Sequence, residues 1–237
     1  TAGNTVLRAL LPPWALDGGI DHRLARLADA EQRAAIRQWM VDRDDWENLS
    51  LAGGWDAIVV SATRTRHEIE GVTLAKLSAE SGKDPCDFVF DLLLQEQGDV
   101  MMLLFTASED DLEAAMRRPY CMIASDGIPT NRPHPRIHGT FPRFLSRYVL
   151  ERGVMSLEEG IHRITGLPAQ VFGLAGRGRI ALGCQADLVV LDPAHLADRA
   201  TYQDPTLLPS GIPHVLVAGV PTILDGQLTG CRPGSLN

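Results

Sequence analysis

The sequence lacks several patterns that mark membrane and nucleic-acid-binding proteins. No apolar run reaches the about 18 residues that a membrane-spanning helix requires. Only three Tyr and six Phe are present, so no aromatic platform for stacking bases is visible. The formal net charge is −8, whereas a protein that binds nucleic acid usually carries a basic face. We therefore expect partners that are neither nucleic acid nor membrane.

Cysteine is also scarce, and no CxxC pair occurs. A secreted disulfide scaffold is dense in cysteine, and a zinc knuckle needs closely spaced thiols. The long spacings predict reduced, scattered thiols and a cytoplasmic protein. No signal peptide is visible, but the chain begins at Thr1 without Met, and we expect that this is not the natural start of the gene product. The four cysteines are Cys86, Cys121, Cys184 and Cys231.

Familiar catalytic signatures are missing as well. There is no GxSxG elbow, no GxxxxGK[ST] loop and no HExxH pair. His134 and His138 are four residues apart, a spacing that on a helix could chelate a metal. Pro135 and Gly139 argue against a helix there, so we predict no metal ligand from this pair. We expect surface or packing roles for His22, His67, His162, His195 and His214.

The first half of the sequence alternates between predicted helices and strands. Hydrophobic periodicity predicts one amphipathic helix over 20–41. Buried strands are predicted over 100–105 and 120–125, with an acidic helix over 109–117 between them. This alternation indicates a parallel α/β arrangement. The remaining predictions are a strand over 55–61, a helix over 74–81 with Thr73 as its N-cap, and a helix that begins at Asp84-Pro85.

The second half changes character near residue 176, which we take as a candidate domain boundary. Before it, a helix is predicted over 140–152, and Ser156 opens a capping box for a second helix that ends at Gly166. After it, the pattern is rich in short strands. The predicted strands cover 179–183 and 186–192, and a hairpin with a tight Ala-Gly turn covers 215–226.

Two charged residues between these halves are candidates for chemistry. Asp126 follows the predicted strand 120–125, where an α/β barrel places its catalytic groups. The Asp126-Gly127 pair is equally common as simple turn chemistry. Arg136 follows Pro133-His134-Pro135, a stiff loop that could present the guanidinium fork to a carboxylate. Alternatively, Arg136 is an ordinary surface arginine.

Three segments together resemble the N-acyl-D-amino-acid deacylases (D-aminoacylases), a family within the amidohydrolase superfamily. The first is Thr1-Ala2-Gly3-Asn4-Thr5 with Leu10-Leu11-Pro12. The second, which is the most specific, runs from Ser125-Asp126-Gly127 through Pro133-His134-Pro135-Arg136 to Gly139-Thr140-Phe141-Pro142-Arg143. The third contains Ala186-Asp187-Leu188-Val189-Val190-Leu191-Asp192-Pro193 and continues through 198–205 to Val217-Ala218-Gly219.

The resemblance implies an α/β fold: a metal-dependent (β/α)8 hydrolase barrel with a small β-sandwich built from both chain ends. A whole barrel takes about 250 residues, so this chain would hold the C-terminal part. Residues 1–174 would belong to the barrel, with 1–107 as an insertion that covers the active site and 119–126 as the eighth strand. Residues 175–237 would form most of the sandwich tail.

The resemblance also assigns roles to single residues. A zinc-bound water attacks the acyl carbonyl in this family. Asp126 matches the aspartate that takes the proton of that water and gives it to the leaving amine. Arg136 matches the arginine that holds the substrate α-carboxylate, and Asn4 falls near a residue that assists it. Leu104 and Ala107 lie near positions that line the pocket for the substrate side chain.

The zinc ligands of the family are an HxH pair, a bridging cysteine and two further histidines, and none matches a residue of this chain. The missing N-terminal half of the barrel would be the partner that supplies them. We therefore hold three hypotheses open. The parent enzyme hydrolyses N-acyl-D-amino acids; or it acts on other cyclic or linear amides, as hydantoinases and dihydroorotases do; or the chain is an inactive truncated or split fragment that serves as an assembly or interaction module. A truncated barrel would dimerise, pair with its other half or aggregate.

Overall fold

The computed structural model describes residues 3–42, 45–127 and 133–235. They fall into two compact units, residues 1–108 and 109–237, which are described separately below. Thr1 and Ala2 of the first resembling segment lie outside the described residues, as do residues 128–132 of the second. Both described sheets are antiparallel.

The first unit contains a three-stranded sheet in the order β1-β3-β2. The strands are β1 (Gly3–Val6), β2 (Ile58–Thr63) and β3 (Val100–Leu104). The predicted strands at 55–61 and 100–105 are thus found with shifted ends, but the predicted parallel direction is wrong for the described residues. An apolar run is buried equally well in either direction, so the run itself does not fix the direction of pairing.

Among the described residues of this unit, four α-helices accompany the sheet: α1 (Ile20–Ala28), α2 (Ala30–Asp42), α3 (Leu74–Ser81) and α4 (Pro85–Gln95). The single helix predicted over 20–41 is wrong, because the backbone of Asp29 is extended. The Asp29 Oδ1 atom accepts a hydrogen bond of 2.9 Å from the Gln32 N–H and thereby opens a second helix.

The predicted caps of α3 and α4 are confirmed. The Thr73 hydroxyl accepts from the Lys76 N–H, and Gly82 ends α3 in the left-handed conformation. The Asp84 carboxylate accepts from the Cys86 N–H, with Pro85 at the first helical position. Helix α4 packs into the core of the first unit. This core includes Leu7, Leu10, Ile36, Ile58, Leu74, Val89, Phe90, Leu92 and Met102.

The side chain of Glu96, at the C-terminal end of α4, is fully buried. Glu96 accepts hydrogen bonds from the Arg64 N–H (2.6 Å), the Thr65 N–H (2.8 Å) and the Thr65 hydroxyl (2.5 Å). Burial alone raises the pKa of Glu96, but these donors outweigh burial and hold the pKa below its ordinary value. The ionised form of Glu96 therefore ties the turn after β2 to α4.

The second unit begins with helices: α5 (Glu109–Met116), α6 (Arg136–Arg143), a π-helix (Phe144–Glu151), α7 (Leu157–Ile164) and α8 (Gly166–Val171). The predicted helix over 140–152 therefore begins earlier and widens into a π-helix, whose i→i+5 hydrogen bonds are rare. The expectation that Pro135 and Gly139 prevent a helix is wrong, because proline is well tolerated where a helix starts. The core of this unit is built mainly on the π-helix: Met116, Phe144, Leu145, Tyr148, Val149, Val154 and Leu196.

The strand predicted over 120–125 does not form. Residues 121–127 carry no regular secondary structure, and the Tyr120 side chain is exposed. A strand exists only by hydrogen bonding to a neighbour. Within the described part of the second unit, no strand pairs with this segment.

The second unit ends in a four-stranded antiparallel sheet in the order β4-β5-β6-β7: β4 (Leu188–Val190), β5 (His214–Val217), β6 (Val220–Leu224) and β7 (Gln227–Leu228). The predicted hairpin is confirmed. Ala218 and Gly219 both have positive φ (51° and 78°), as a type I′ turn requires. The predicted strand over 179–183 does not form, and its side chains Ile180 and Leu182 are exposed.

No helix within the three described ranges combines the length and the apolar character needed to cross a bilayer.

Candidate active site

The two charged candidates of the second unit form an ion pair. Arg136 donates from Nη2 to the Asp126 carboxylate at 2.6 Å and from Nε to the Asp126 carbonyl at 3.0 Å. The Arg136 side chain is only 18% exposed, whereas the Asp126 side chain is 80% exposed. The arginine is therefore held in place while the carboxylate reaches the surface.

Asp126 has an unusual backbone, with φ at +45°. Asp tolerates this left-handed region better than most residues, but its cost remains about 1–2 kcal/mol. Gly127 then lies so close to α6 that a Cβ there would be 3.1 Å from Cγ1 of Ile137. The turn is packed against the helix that carries Arg136, and this contact keeps the pair together.

Arg136 is the first residue of α6, and His134 supplies hydrogen-bond acceptors for the first N–H groups of this helix. Pro135 is the N-cap residue and has no side-chain acceptor. Instead, the imidazole Nδ1 of His134 accepts from the Arg136 N–H at 3.0 Å. The carbonyl of His134 accepts from the next N–H, that of Ile137, at 3.1 Å. His134 therefore satisfies two of the N–H groups that a helix leaves open.

Tyr202 packs on the other edge of the same imidazole. The two rings meet edge to face, with centroids 5.2 Å apart, and the Tyr202 hydroxyl lies 3.5 Å from His134 Nε2. Burial raises the pKa of Tyr202, although the charges of Arg143 and Arg136 lower it in part. The phenol is therefore neutral at physiological pH.

The side chain of Asp198 lies beside the middle of α6, next to Gly139. Its carboxylate accepts from the Ala200 N–H at 3.0 Å and lies 3.8 Å from the guanidinium of Arg143. A Cβ on Gly139 would fall 2.8 Å from Cγ of Asp198, so a larger residue here would force the Asp198 side chain to move. Burial raises the pKa of Asp198, and the Ala200 N–H and Arg143 oppose that rise.

Asn4 lies in the first unit, on β1. It is paired with Leu103 of β3, while Gly3 is paired with Leu104. Directly paired residues share a face of a sheet, so Asn4 and Leu104 project from opposite faces. The amide oxygen of Asn4 is buried, and no described residue gives it a hydrogen bond. Such an atom is costly unless something pairs with it.

Leu104 and Ala107 have different surroundings. Leu104 is buried in the core of the first unit together with Met102 and Val100. Ala107 lies beyond the end of β3 and is exposed. Ala107 can contact a ligand directly, whereas Leu104 shapes the sheet from its core face.

The described residues contain no group of three or more His, Cys, Asp or Glu side chains placed to hold a metal ion. Neither Asp126 nor His134 stands in such a group. A zinc ion is therefore not accommodated by these residues alone.

Sequence reasoning missed two residues of this site. His134 was weighed as a metal ligand and rejected, and otherwise both residues were noted only as parts of a resembling segment or of the loop before Arg136. The signal available for His134 was Pro135, which cannot cap a helix with its own side chain. No local signal points to Tyr202, which is 68 residues from His134 along the chain.

Comparison with known proteins gives one consistent result. A model of the amidohydrolase family matches residues 11–223. The chain is 42% identical over 168 residues to the D-aminoacylase of Alcaligenes xylosoxydans xylosoxydans, which covers 70% of the chain and 34% of that protein. It is 40% identical over 182 residues to the N-acyl-D-glutamate deacylase of the same organism, covering 76% and 36%. The chain therefore spans about a third of the length of these relatives.

A comparison with solved structures finds the same kind of protein. The chain is similar to the N-acyl-D-glutamate deacylase of Bordetella bronchiseptica, which was crystallised with zinc and a phosphonate inhibitor that mimics the tetrahedral intermediate. The TM-score is 0.66 at 39% identity, covering 73% of this chain and 36% of that one.

Proposed function

Because the chain belongs to the amidohydrolase family, we propose that the whole protein hydrolyses the amide bond of N-acyl-D-amino acids to a carboxylate and a free D-amino acid. The relatives that resemble it are named for this reaction. The observation that carries the proposal is the Asp126–Arg136 pair. It combines a group that can transfer a proton with a fork that can hold a carboxylate.

Arg136 binds the α-carboxylate of the substrate. A guanidinium has five N–H donors, and Asp126 uses only two of them here. The others remain for a second carboxylate, and the fixed fork suits bidentate binding. The requirement for a free carboxylate separates this reaction from the hydrolysis of cyclic amides.

Asp126 transfers the proton. Water attacks the acyl carbonyl and gives a proton to the Asp126 carboxylate, which then delivers it to the nitrogen as the C–N bond breaks. The exposure of Asp126 allows this contact, and its backbone strain is of a kind that clusters at functional sites.

For three residues of the first unit we propose substrate roles that rest on the family resemblance. Asn4 assists in holding the α-carboxylate through the N–H donors of its side-chain amide, because the amide oxygen can only accept. Ala107 lines the pocket for the substrate side chain, supported by its exposure. Leu104 sets the shape of that pocket from the core side of β3.

A zinc ion is proposed for the complete enzyme, in line with the zinc-bound relative. Its ligands would come from the N-terminal half of the barrel, since the described residues offer no group of three. In that assembly residues 119–126 would take the place of the eighth strand. Residues 1–107 would be the insertion over the active site, within barrel residues 1–174, and residues 175–237 would be most of the sandwich. We propose a cytoplasmic location for it.

The test of the substrate class is a comparison of two substrates with the whole protein. Arg136→Ala should raise KM for an N-acyl-D-amino acid at least tenfold, because about 1.4 kcal/mol of binding corresponds to tenfold. KM for the matching carboxamide, which lacks the charge, should not change. An unchanged KM for the acid would refute the role of Arg136, and turnover of cyclic amides alone would refute the substrate class.

A second candidate function is that of a noncatalytic assembly module, favoured by the exposed apolar side chains of the second unit. Native mass spectrometry with zinc analysis separates the two. A zinc-containing complex with a barrel half supports the enzyme. A lone chain, or a self-assembly without zinc, supports the module.

A further inference from the structure

We propose that His134 is a positioning residue for Arg136: its Nδ1 atom fixes the first turn of α6, and Tyr202 holds the imidazole ring from the opposite edge. This inference rests on the proposed role of Arg136 in binding the substrate carboxylate. His134 itself does not touch the substrate in this proposal.

Helix α6 begins without a side-chain acceptor on its own N-cap residue. A helix presents its first N–H groups without partners, and a side-chain acceptor before the helix usually binds one of them. Pro135 occupies the N-cap position but offers no acceptor. The imidazole of His134 takes over this task through the Arg136 N–H, at 3.0 Å.

The backbone of Arg136 determines where its guanidinium lies. Arg136 is the first residue of α6, the position most exposed to fraying. Both ends of this residue are bound: its N–H to His134, and its carbonyl to the Thr140 hydroxyl at 2.7 Å. With the backbone fixed, Nε and Nη2 reach Asp126 together.

The hydrogen bond to Arg136 requires one particular tautomer of the His134 imidazole. Nδ1 can accept the Arg136 N–H only if it carries no proton, so in neutral His134 the proton is on Nε2. That atom faces the Tyr202 hydroxyl at 3.5 Å, and the phenol is neutral and able to accept. Tyr202 thus favours the tautomer that caps the helix, a contact between two segments that are far apart in sequence.

Two variants of similar size separate capping from packing. His134→Asn places its Oδ1 at the same number of bonds from Cα as Nδ1 and keeps the acceptor. His134→Leu fills similar space without one. Tyr202→Phe keeps the ring contact and removes the hydroxyl.

The first readout needs no catalysis. In NMR of the protein, the backbone N–H and the Nε–H of Arg136 should exchange with water about fivefold faster in His134→Leu, since a lost cap changes local opening by about this factor. His134→Asn should retain the protection, and Tyr202→Phe should fall between them. Equal exchange in the native, Leu and Asn forms would overturn the proposal.

The second readout is the split between KM and kcat in the whole protein. His134→Leu should raise KM for an N-acyl-D-amino acid about tenfold, leave kcat within about twofold, and leave KM for the carboxamide unchanged. A rise for both substrates would mean a merely structural role and would overturn the proposal. If the native protein turns over neither substrate, the proposed function fails, and the exchange of the Arg136 Nε–H still decides whether His134 positions that side chain.

Discussion

At the scale of single residues, Asp126 combines high exposure, a strained backbone and one charged partner. We expect Asp126→Asn to lower kcat about 10²- to 10⁴-fold, the usual contribution of a general base and acid. Stability should change little, because an exposed ion pair contributes about 0–1 kcal/mol. Steady-state kinetics and thermal unfolding of the same samples check both parts; a kcat within about twofold of the native value would exclude Asp126 from proton transfer.

Glu96 shows the opposite combination of burial and complete pairing. Its pKa in the folded chain lies below the unfolded value, so its stabilisation is present above the unfolded pKa and is lost as pH falls through the folded one. We expect Glu96→Gln to lower the free energy of unfolding at neutral pH by about 1–3 kcal/mol.

The same substitution should flatten the pH dependence of stability below about pH 4.5. Circular dichroism melts from neutral to acidic pH measure this. Glu80→Gln, at an exposed carboxylate, serves as the control and should leave both quantities nearly unchanged. Parallel pH curves for native protein and Glu96→Gln would contradict the argument.

The sequence indicated Asp126 and Arg136 because both stand in a dense motif of proline, glycine and charge. It did not indicate their mutual contact, which depends on the left-handed turn at Asp126 and on the start of α6. His134 was misjudged for a related reason. Its role follows from a missing acceptor on Pro135 and from Tyr202, and pattern reasoning treats such residues one at a time.

At the scale of elements, α6 depends on a glycine. A Cβ at 139 would press on the Asp198 carboxylate, and overpacking costs about 1–3 kcal/mol. That cost exceeds the about 0.5–1 kcal/mol which alanine gains over glycine inside a helix. We expect Gly139→Ala to destabilise the protein in urea unfolding.

Asp198→Ala supplies the matched comparison for this prediction. It removes the group that a Cβ at 139 would meet, so the double variant Gly139→Ala with Asp198→Ala should be more stable than the sum of the single effects predicts. Additive effects, or a stabilising Gly139→Ala, would show that the close contact is relieved at no cost.

The sequence predicted correctly the elements whose ends are marked by a capping residue or a turn residue. Thr73, Gly82 and Asp84 define α3 and α4, and the Ala218-Gly219 turn defines the hairpin. Prediction failed where pairing with another segment of the chain decides whether a strand forms and in which direction it runs. The apolar residues 120–125 form no strand without a paired strand beside them, and the direction of β3 follows from its partners.

At the scale of the whole molecule, the second unit exposes many large apolar side chains, including Ile180, Leu182, Val189, Val190, Leu224 and Leu228. Exposed apolar area of this kind marks an interaction surface or an aggregation hazard. We expect the purified chain to bind a hydrophobic dye and to self-associate with rising concentration. Leu182→Glu with Leu228→Lys should reduce both effects, as measured by dye fluorescence and sedimentation, whereas Val41→Glu in the first unit should not.

The division into two units also separates the chromophores. All four tryptophans, Trp14, Trp39, Trp46 and Trp55, belong to residues 1–108, and all three tyrosines, Tyr120, Tyr148 and Tyr202, belong to residues 109–237. Excitation at the red edge of the absorption band excites tryptophan alone, and therefore only the first unit. Tyrosine emission comes only from the second unit. Energy transfer from tyrosine to tryptophan therefore reports changes in the proximity of the two units of this chain, without any added dye.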